Sequence, residues 1–432
     1  MGVSRLLGIS FLAGVFALGS TFHLTASISM QHQRQLVRIP QSIWRQASHR
    51  HQEHIHRMLA PGLTAWDNPL NSGLQRNHPH PNSANDDSIR ALDPRHPIYN
   101  FLIEYYGLKG VKGPRRLARW SPSPGILLQD ETTKIESLEQ LDELSSLYTA
   151  GGTSSKTSNI GVVLEDVVED DFADNLHIRG ASIEENGDVI YSPSLYFGKG
   201  DESRSKDNTR LAAPFLWYRS ILEQTISSEP ILHCYGLHEW AMQYQPENAP
   251  PPPSAQYQKH LPLRVSRKII NDTVERKGIS CTHVDALRFF AQDALPLNRF
   301  GGPLERNDQV RLEQSGCVHA HMDLLKMALK LQSFCDPILL ERVLEVALEA
   351  RTLDVAASPY DASSYGVGVV AVDTPEGRAE YRTKQRALMK RVEPVRQNLL
   401  SAYNTLIALA FDDLILKEAS HRLPKNRPAT SS

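Results

Sequence analysis

Apolar residues recur at three- and four-residue spacing over most of the chain, the period of helices that bury one face. The clearest case opens at Asp336-Pro337, where Leu339, Leu340, Val343, Val346 and Ala347 share a face, with Asp336 as N-cap and Pro337 at N1. Thr374-Pro375-Glu376-Gly377 starts a long amphipathic helix reaching about Ala410. Between them, residues 313–330 run from a Ser-Gly turn into a helix with Leu324, Met327, Ala328 and Leu331 as its stripe. Further helices are predicted over 43–58, 96–106, 211–226 and 282–291, and from Ser266 onward. The period fades over 121–206, where only the short runs 160–164 and 189–192 suggest small strands. The fold class expected is mainly α, a multi-helix bundle-like domain with an irregular or small-β insertion.

The same pattern divides the chain into a signal-like segment 1–21, a transit peptide 22–52, and a His-rich helix with its linker 53–95. A single helical domain 96–416 follows, carrying the insertion 121–206 and a Pro-rich loop 245–262, and then a polar tail 417–432. The leader reading rests on an apolar run at 6–18 after Arg5, shorter than the ~20 residues of a comfortable bilayer span. Beyond it no Asp or Glu appears before Glu53, while Arg34, Arg38, Arg45 and Arg50 do. A bipartite leader of this kind predicts a plastid address, with the secretory pathway as the alternative and no stable membrane span after processing.

Composition narrows the partners only modestly. The 432 residues carry a formal net charge of −2 and 22% charged side chains, an ordinary globular balance rather than that of a basic nucleic-acid binder. Four cysteines in a chain this long read as buried thiols, ligands or reactive groups, not as a disulfide framework, which favours a reducing compartment.

Three segments place a cysteine ahead of a histidine and a carboxylate near a helix start: Cys234 with His238 and Glu239, Cys281 with His283 and Asp285, and Cys317 with His319 and Asp323. A divalent transition metal needs three or four convergent ligands of these types, and helices of a bundle supply them from facing positions. His238, His283 and His319 are the candidate ligands, and Glu239, Asp285 and Asp323 the candidate acid/base groups for a small-molecule substrate. Arg264, Arg288, Asp354 and Asp361 are candidate substrate-binding residues, and Asp354 and Asp361 are also candidates to complete the metal site. Thr282-x-x-Asp285 reads equally as a capping box. No HExxH, CxxC pair, phosphate loop or GxSxG elbow is present. A non-catalytic binding or scaffold protein is the competing reading, favoured if the three imidazoles lie more than ~12 Å apart, since metal ligation holds ligand atoms about 2 Å from the ion. The densest basic run, with Lys112, Arg115, Arg116 and Arg119, offers phosphate contacts in a nucleic-acid reading.

The ordered motifs HPIYNFLIEYY, GLHEWAMQY, PLRVS, CTHVDALRFF, EQSGCVHAHMDLLKMALKL, ARTLDVAASPYD and TPEGRAEY resemble a poorly characterised family of cyanobacteria, actinobacteria and algae. Its members often carry the name 3-methyladenine DNA glycosylase, and the resemblance spans residues 96–381 with insertions. It implies N-glycosidic or nucleobase chemistry, with DNA as a partner, and assigns no catalytic residue.

Overall fold

The computed structural model describes residues 36–64, 90–128, 132–149, 161–168, 171, 175–197, 208–256 and 258–411. The signal-like segment, residues 22–35 of the expected transit peptide, most of the linker and the polar tail lie outside the described residues.

The described chain begins in the core. Strand β1 (Leu36–Ile39) buries Val37 and Ile39, and helix α1 (Gln41–Leu59) buries Trp44, Ala47, Ile55 and Leu59. Residues of the range 36–52 therefore pack into the folded body. Short helices α2 (Asn100–Glu104), α3 (Lys112–Ala118) and α4 (Pro124–Leu127) follow, then α5 (Leu138–Thr149). The helix expected over 96–106 is confined to α2, preceded by turns.

The insertion supplies β2 (Gly161–Leu164), β3 (Ala181–Ile183) and β4 (Val189–Tyr191), and the four strands lie in the order β1-β2-β4-β3. β1 and β2 are parallel with Leu36 opposite Gly161, and the other pairs are antiparallel, with Tyr191 opposite both Val162 and Ala181. The sheet is thus built from two distant parts of the chain. β2 is buried on both faces, which explains its uninterrupted GVVL sequence.

Then come α6 (Pro193–Phe197), α7 (Asn208–Ser227), α8 (Leu237–Gln243), α9 (Arg267–Lys277), α10 (Val284–Leu287) and α11 (Asp308–Leu312). The body's axis is α12 (Val318–Leu331), α13 (Pro337–Ala357) and α14 (Pro375–Ala410). α13 packs against α12, α14 and α1, and α14 also packs against α7. Asp336 caps α13 by accepting from the Leu339 amide at 3.0 Å and is fixed by the hydroxyls of Ser123 at 2.6 Å and Ser145 at 2.8 Å. Thr374 caps α14 through the Gly377 amide at 3.0 Å. A Cβ on Gly377 would sit 1.9 Å from the Ala371 carbonyl oxygen, so only glycine fits there. The protein is mainly α-helical with a small β insertion, and no described helix is long and apolar enough to cross a membrane.

Candidate metal centre

Local structure aims three histidines at one place. Tyr235 and Gly236, both left-handed at φ 50° and 67°, turn the chain into α8 so that His238 enters the first turn facing α13. At α12 the approach is held by Gln314, which accepts from the Ile231 amide at 2.8 Å and the Gly316 amide at 2.7 Å. Gln385 of α14 donates to the Gly316 carbonyl at 2.6 Å. A Cβ on Gly316 would lie 2.7 Å from the Ile231 carbonyl oxygen, so this turn, which sets where His319 emerges, requires glycine.

His238 Nε2 donates to Asp354 Oδ1 at 2.6 Å, with both groups buried. The ring centroids of His238 and His319 are 4.3 Å apart, and those of His319 and His283 4.9 Å apart in a near-parallel stack. The three imidazoles that the sequence singled out are neighbours. One ligand atom from each of His238, His319 and Asp354 falls within 4.8 Å of the others. Metal bonds of about 2.0–2.2 Å hold ligand atoms roughly 3–4 Å apart, so an ion bound here would take the place of the proton between His238 and Asp354. The donor set of two imidazoles and a carboxylate is one that zinc and its neighbours accept.

Arg351 organises this centre from behind. Its guanidinium donates to Asp354 Oδ2 at 2.6 Å, Glu239 Oε1 at 3.0 Å and the Pro97 carbonyl at 3.0 Å. Burial opposes ionisation of Asp354, but His238 and Arg351 outweigh it and hold the carboxyl well below the usual range. Burial and the neighbouring His238 and His283 rings hold His319 well below the ordinary histidine value, so it stands neutral with a lone pair free for a ligand. His319 is also only half-buried, unlike His238 and His283.

His283 has a different role from the ligand expected of it. Its Nε2 meets Asp323 Oδ2 at 3.2 Å, and its Nδ1 accepts from the Ala286 amide at 3.3 Å as the N-cap of α10. The cap of this helix is therefore His283 and not Thr282, as the capping-box reading had it. Burial works against a charge on His283, and the carboxylates of Glu313 and Asp323 outweigh it, lifting the pKa to about 9. Charging the ring removes the Nδ1 lone pair that makes the cap, so protonation and capping oppose each other. Burial likewise opposes the Asp323 charge, and the His283 bond overrides it and lowers that pKa.

The remaining candidates have other partners. Glu239 is committed to Arg351 through Oε1. Asp285 lies near the surface with Arg288 at 2.7 Å and Lys326 at 3.7 Å, and Arg288 itself is exposed. Arg264 donates to Asp373 at 3.1 Å and the Ser358 carbonyl at 3.0 Å, a clamp on the loop after α13. Asp361 accepts from the Ser363 amide at 3.0 Å and fixes its own turn. Lys112, Arg115, Arg116 and Arg119 lie on or at the end of α3 rather than on a loop, with Lys112 exposed and the arginines half-buried.

Two contributors escaped the sequence reading. Glu313 is buried, with its pKa raised by that burial, and it influences His283, Asp323 and Arg396. Burial and the neighbouring Asp323 charge push the Tyr106 hydroxyl well above the usual phenol range. Glu313 opens the segment 313–330 and nothing in its spacing marks it; Tyr106 reads as one more aromatic of the segment 96–106. The fold and these residues define a mainly α-helical protein with a buried His/Asp cluster able to hold a metal ion. Comparison of the chain with protein-family models, curated proteins and solved structures finds no match.

Proposed function

We propose that this chain is a hydrolytic enzyme whose centre, His238, His319 and Asp354, takes a divalent transition metal and acts on a small or nucleobase-containing substrate. The observation that carries the reading is the convergence of those three donors within 4.8 Å, one of them a neutral, half-buried imidazole. A metal bound there would polarise a carbonyl or acidify a water. The protein's own part is to hold Asp354 ionised and oriented through Arg351, and to keep His319 unprotonated. The Asp323–His283 pair, which shares a proton beside the stacked His319 ring, takes and returns protons. Equilibrium dialysis of the purified full chain against zinc, followed by metal analysis, should give about one ion per chain. His319→Ala and Asp354→Asn should each lower the affinity at least tenfold. Wild-type protein with no stoichiometric metal would remove the proposal.

A second reading follows from the family resemblance: N-glycosidic cleavage with Asp323 as the carboxylate that activates water. The specific support is that Asp323 is kept ionised in a buried place by His283. Release of 3-methyladenine from alkylated DNA, lost in Asp323→Asn, would favour this reading, and absence of release from wild type would dispose of it.

A further inference from the structure

A surface cleft of about 330 Å³ lies between α3, the residues after α2, α7 and the C-terminal half of α12. Arg116, Arg179, Lys326 and Lys330 line it together with Tyr106 and Tyr218. We propose that this cleft binds the phosphate, or an equivalent multiply charged group, of a small-molecule substrate whose other end reaches Asp323.

The charge balance carries the proposal. Among the described residues, Lys326 has a carboxylate neighbour, Asp285 at 3.7 Å, while Arg116, Arg179 and Lys330 have none. Their contacts are of other kinds. Arg116 reaches the Leu329 carbonyl at 3.4 Å, Arg179 lies 4.2 Å from the centroid of the Tyr196 ring, and Lys330 5.2 Å from that of Phe215. The C-terminal carbonyls of α12 attract cations, but a helix end carries only about half an elementary charge, far less than these four side chains bring. Like charges gathered in one concavity and left unneutralised focus a positive potential and favour an anion. Burial and mutual repulsion with Arg179 lower the pKa of Arg116 and of Lys330, the strain expected of a site that lacks its counter-charge. Arginine forks match phosphate oxygens two at a time, and lysine adds a point charge. The volume lies within the ordinary range for small-ligand sites, about 300–1,000 Å³.

The cleft also borders the candidate centre. Tyr106 lines it with its hydroxyl pKa raised by burial and by the nearby Asp323 charge, and Lys326 lines it one turn beyond Asp323 on α12. An anion seated here would anchor a substrate and direct its reacting end toward the Asp323–His283 pair, as remote binding groups commonly do. That second step rests on the function proposed above; anion binding itself does not.

Calorimetric titration of the full chain with inorganic pyrophosphate, after dialysis against a chelator to strip metal, separates the two. Saturable one-site binding is expected, with Arg116→Gln and Lys330→Gln each losing about tenfold in affinity and the double variant more. Near-ultraviolet circular dichroism should show both variants folded, and both should keep wild-type zinc binding, which they would lose if the whole site had collapsed. Pyrophosphate affinity unchanged in the folded variants, or no binding to wild type, overturns the proposal. A duplex oligonucleotide that binds more tightly than pyrophosphate and is lost in the same variants would give the cleft to nucleic acid and equally overturn it.

Discussion

Arg351 is the residue on which the centre depends, because it neutralises Asp354 and Glu239 at once inside the core. Removing one partner of a buried charge cluster leaves the others unpaired and costs about 3–5 kcal/mol. Arg351→Met should therefore lower the urea-extrapolated stability by that amount, whereas exposed Arg288→Met, whose partner Asp285 is near the surface, should change it by less than about 1 kcal/mol. Titration of the histidines makes a second prediction. His319 and His321 are held well below 6.5, and His177 falls to about 3 through burial, so below pH 6.5 the unfolded chain takes up protons that the fold refuses. Each such group removes about 1.4 kcal/mol of stability per pH unit as pH falls. His283, raised to about 9, has the opposite sign: its contribution is complete below 6.5 and is lost as pH rises through 9. Unfolding free energies at three pH values should peak close to 6.5 and drop steeply by pH 5. A flat profile between those two values would contradict the assigned protonation states. His283 also shows why roles were harder to read than residue types. The same side chain serves as ligand, cap or proton carrier, and only Asp323, 40 residues away, and the Ala286 amide decide among them.

At the level of elements, the long helices were legible because their signals are local. Asp336-Pro337 and Thr374-Pro375 cap and start α13 and α14 where their sequences say so. Short elements were not. α10 and α2 end after a turn or so because the surrounding chain, not their own propensity, sets their length. The largest difference is at the start of the described chain. Arginine-rich, acid-poor residues before Glu53 have the composition of a transit peptide, yet Arg45 and Arg50 find their acids far along the sequence, in Asp171 and Asp142, 126 and 92 residues away. The His-rich face of α1 is likewise explained by one distant residue, since His51 and His54 each hold one oxygen of Glu341 on α13 at 2.6 Å. A chain shortened to begin at Glu53 would lose β1 and most of α1, with Val37, Ile39, Ile43, Trp44 and Ala47 from the core. At about 1.5–3 kcal/mol for each large side chain, this loss is comparable to the whole stability of an ordinary domain. Such a chain should fail to show a cooperative unfolding transition, and a wild-type-like melt would mean that residues 36–52 are dispensable to the folded body.

Across the whole molecule, Asp323 links the two sites: it meets His283, whose ring stacks on His319, and it lies one turn before the cleft residue Lys326 on α12. The cleft was not visible as a unit in the sequence, because Arg116, Arg179 and Lys330 come from three separate segments; the histidine centre was, with Asp354, 116 residues from His238, standing where His283 was expected. X-ray absorption spectroscopy of the zinc-loaded full chain reads the ligands directly. A nitrogen/oxygen shell at about 2.0–2.2 Å with imidazole scattering and no sulfur is expected, since burial raises the thiol pKa of Cys234, Cys281 and Cys317. A sulfur shell near 2.3 Å, or a spectrum left unchanged by His319→Ala, would contradict it.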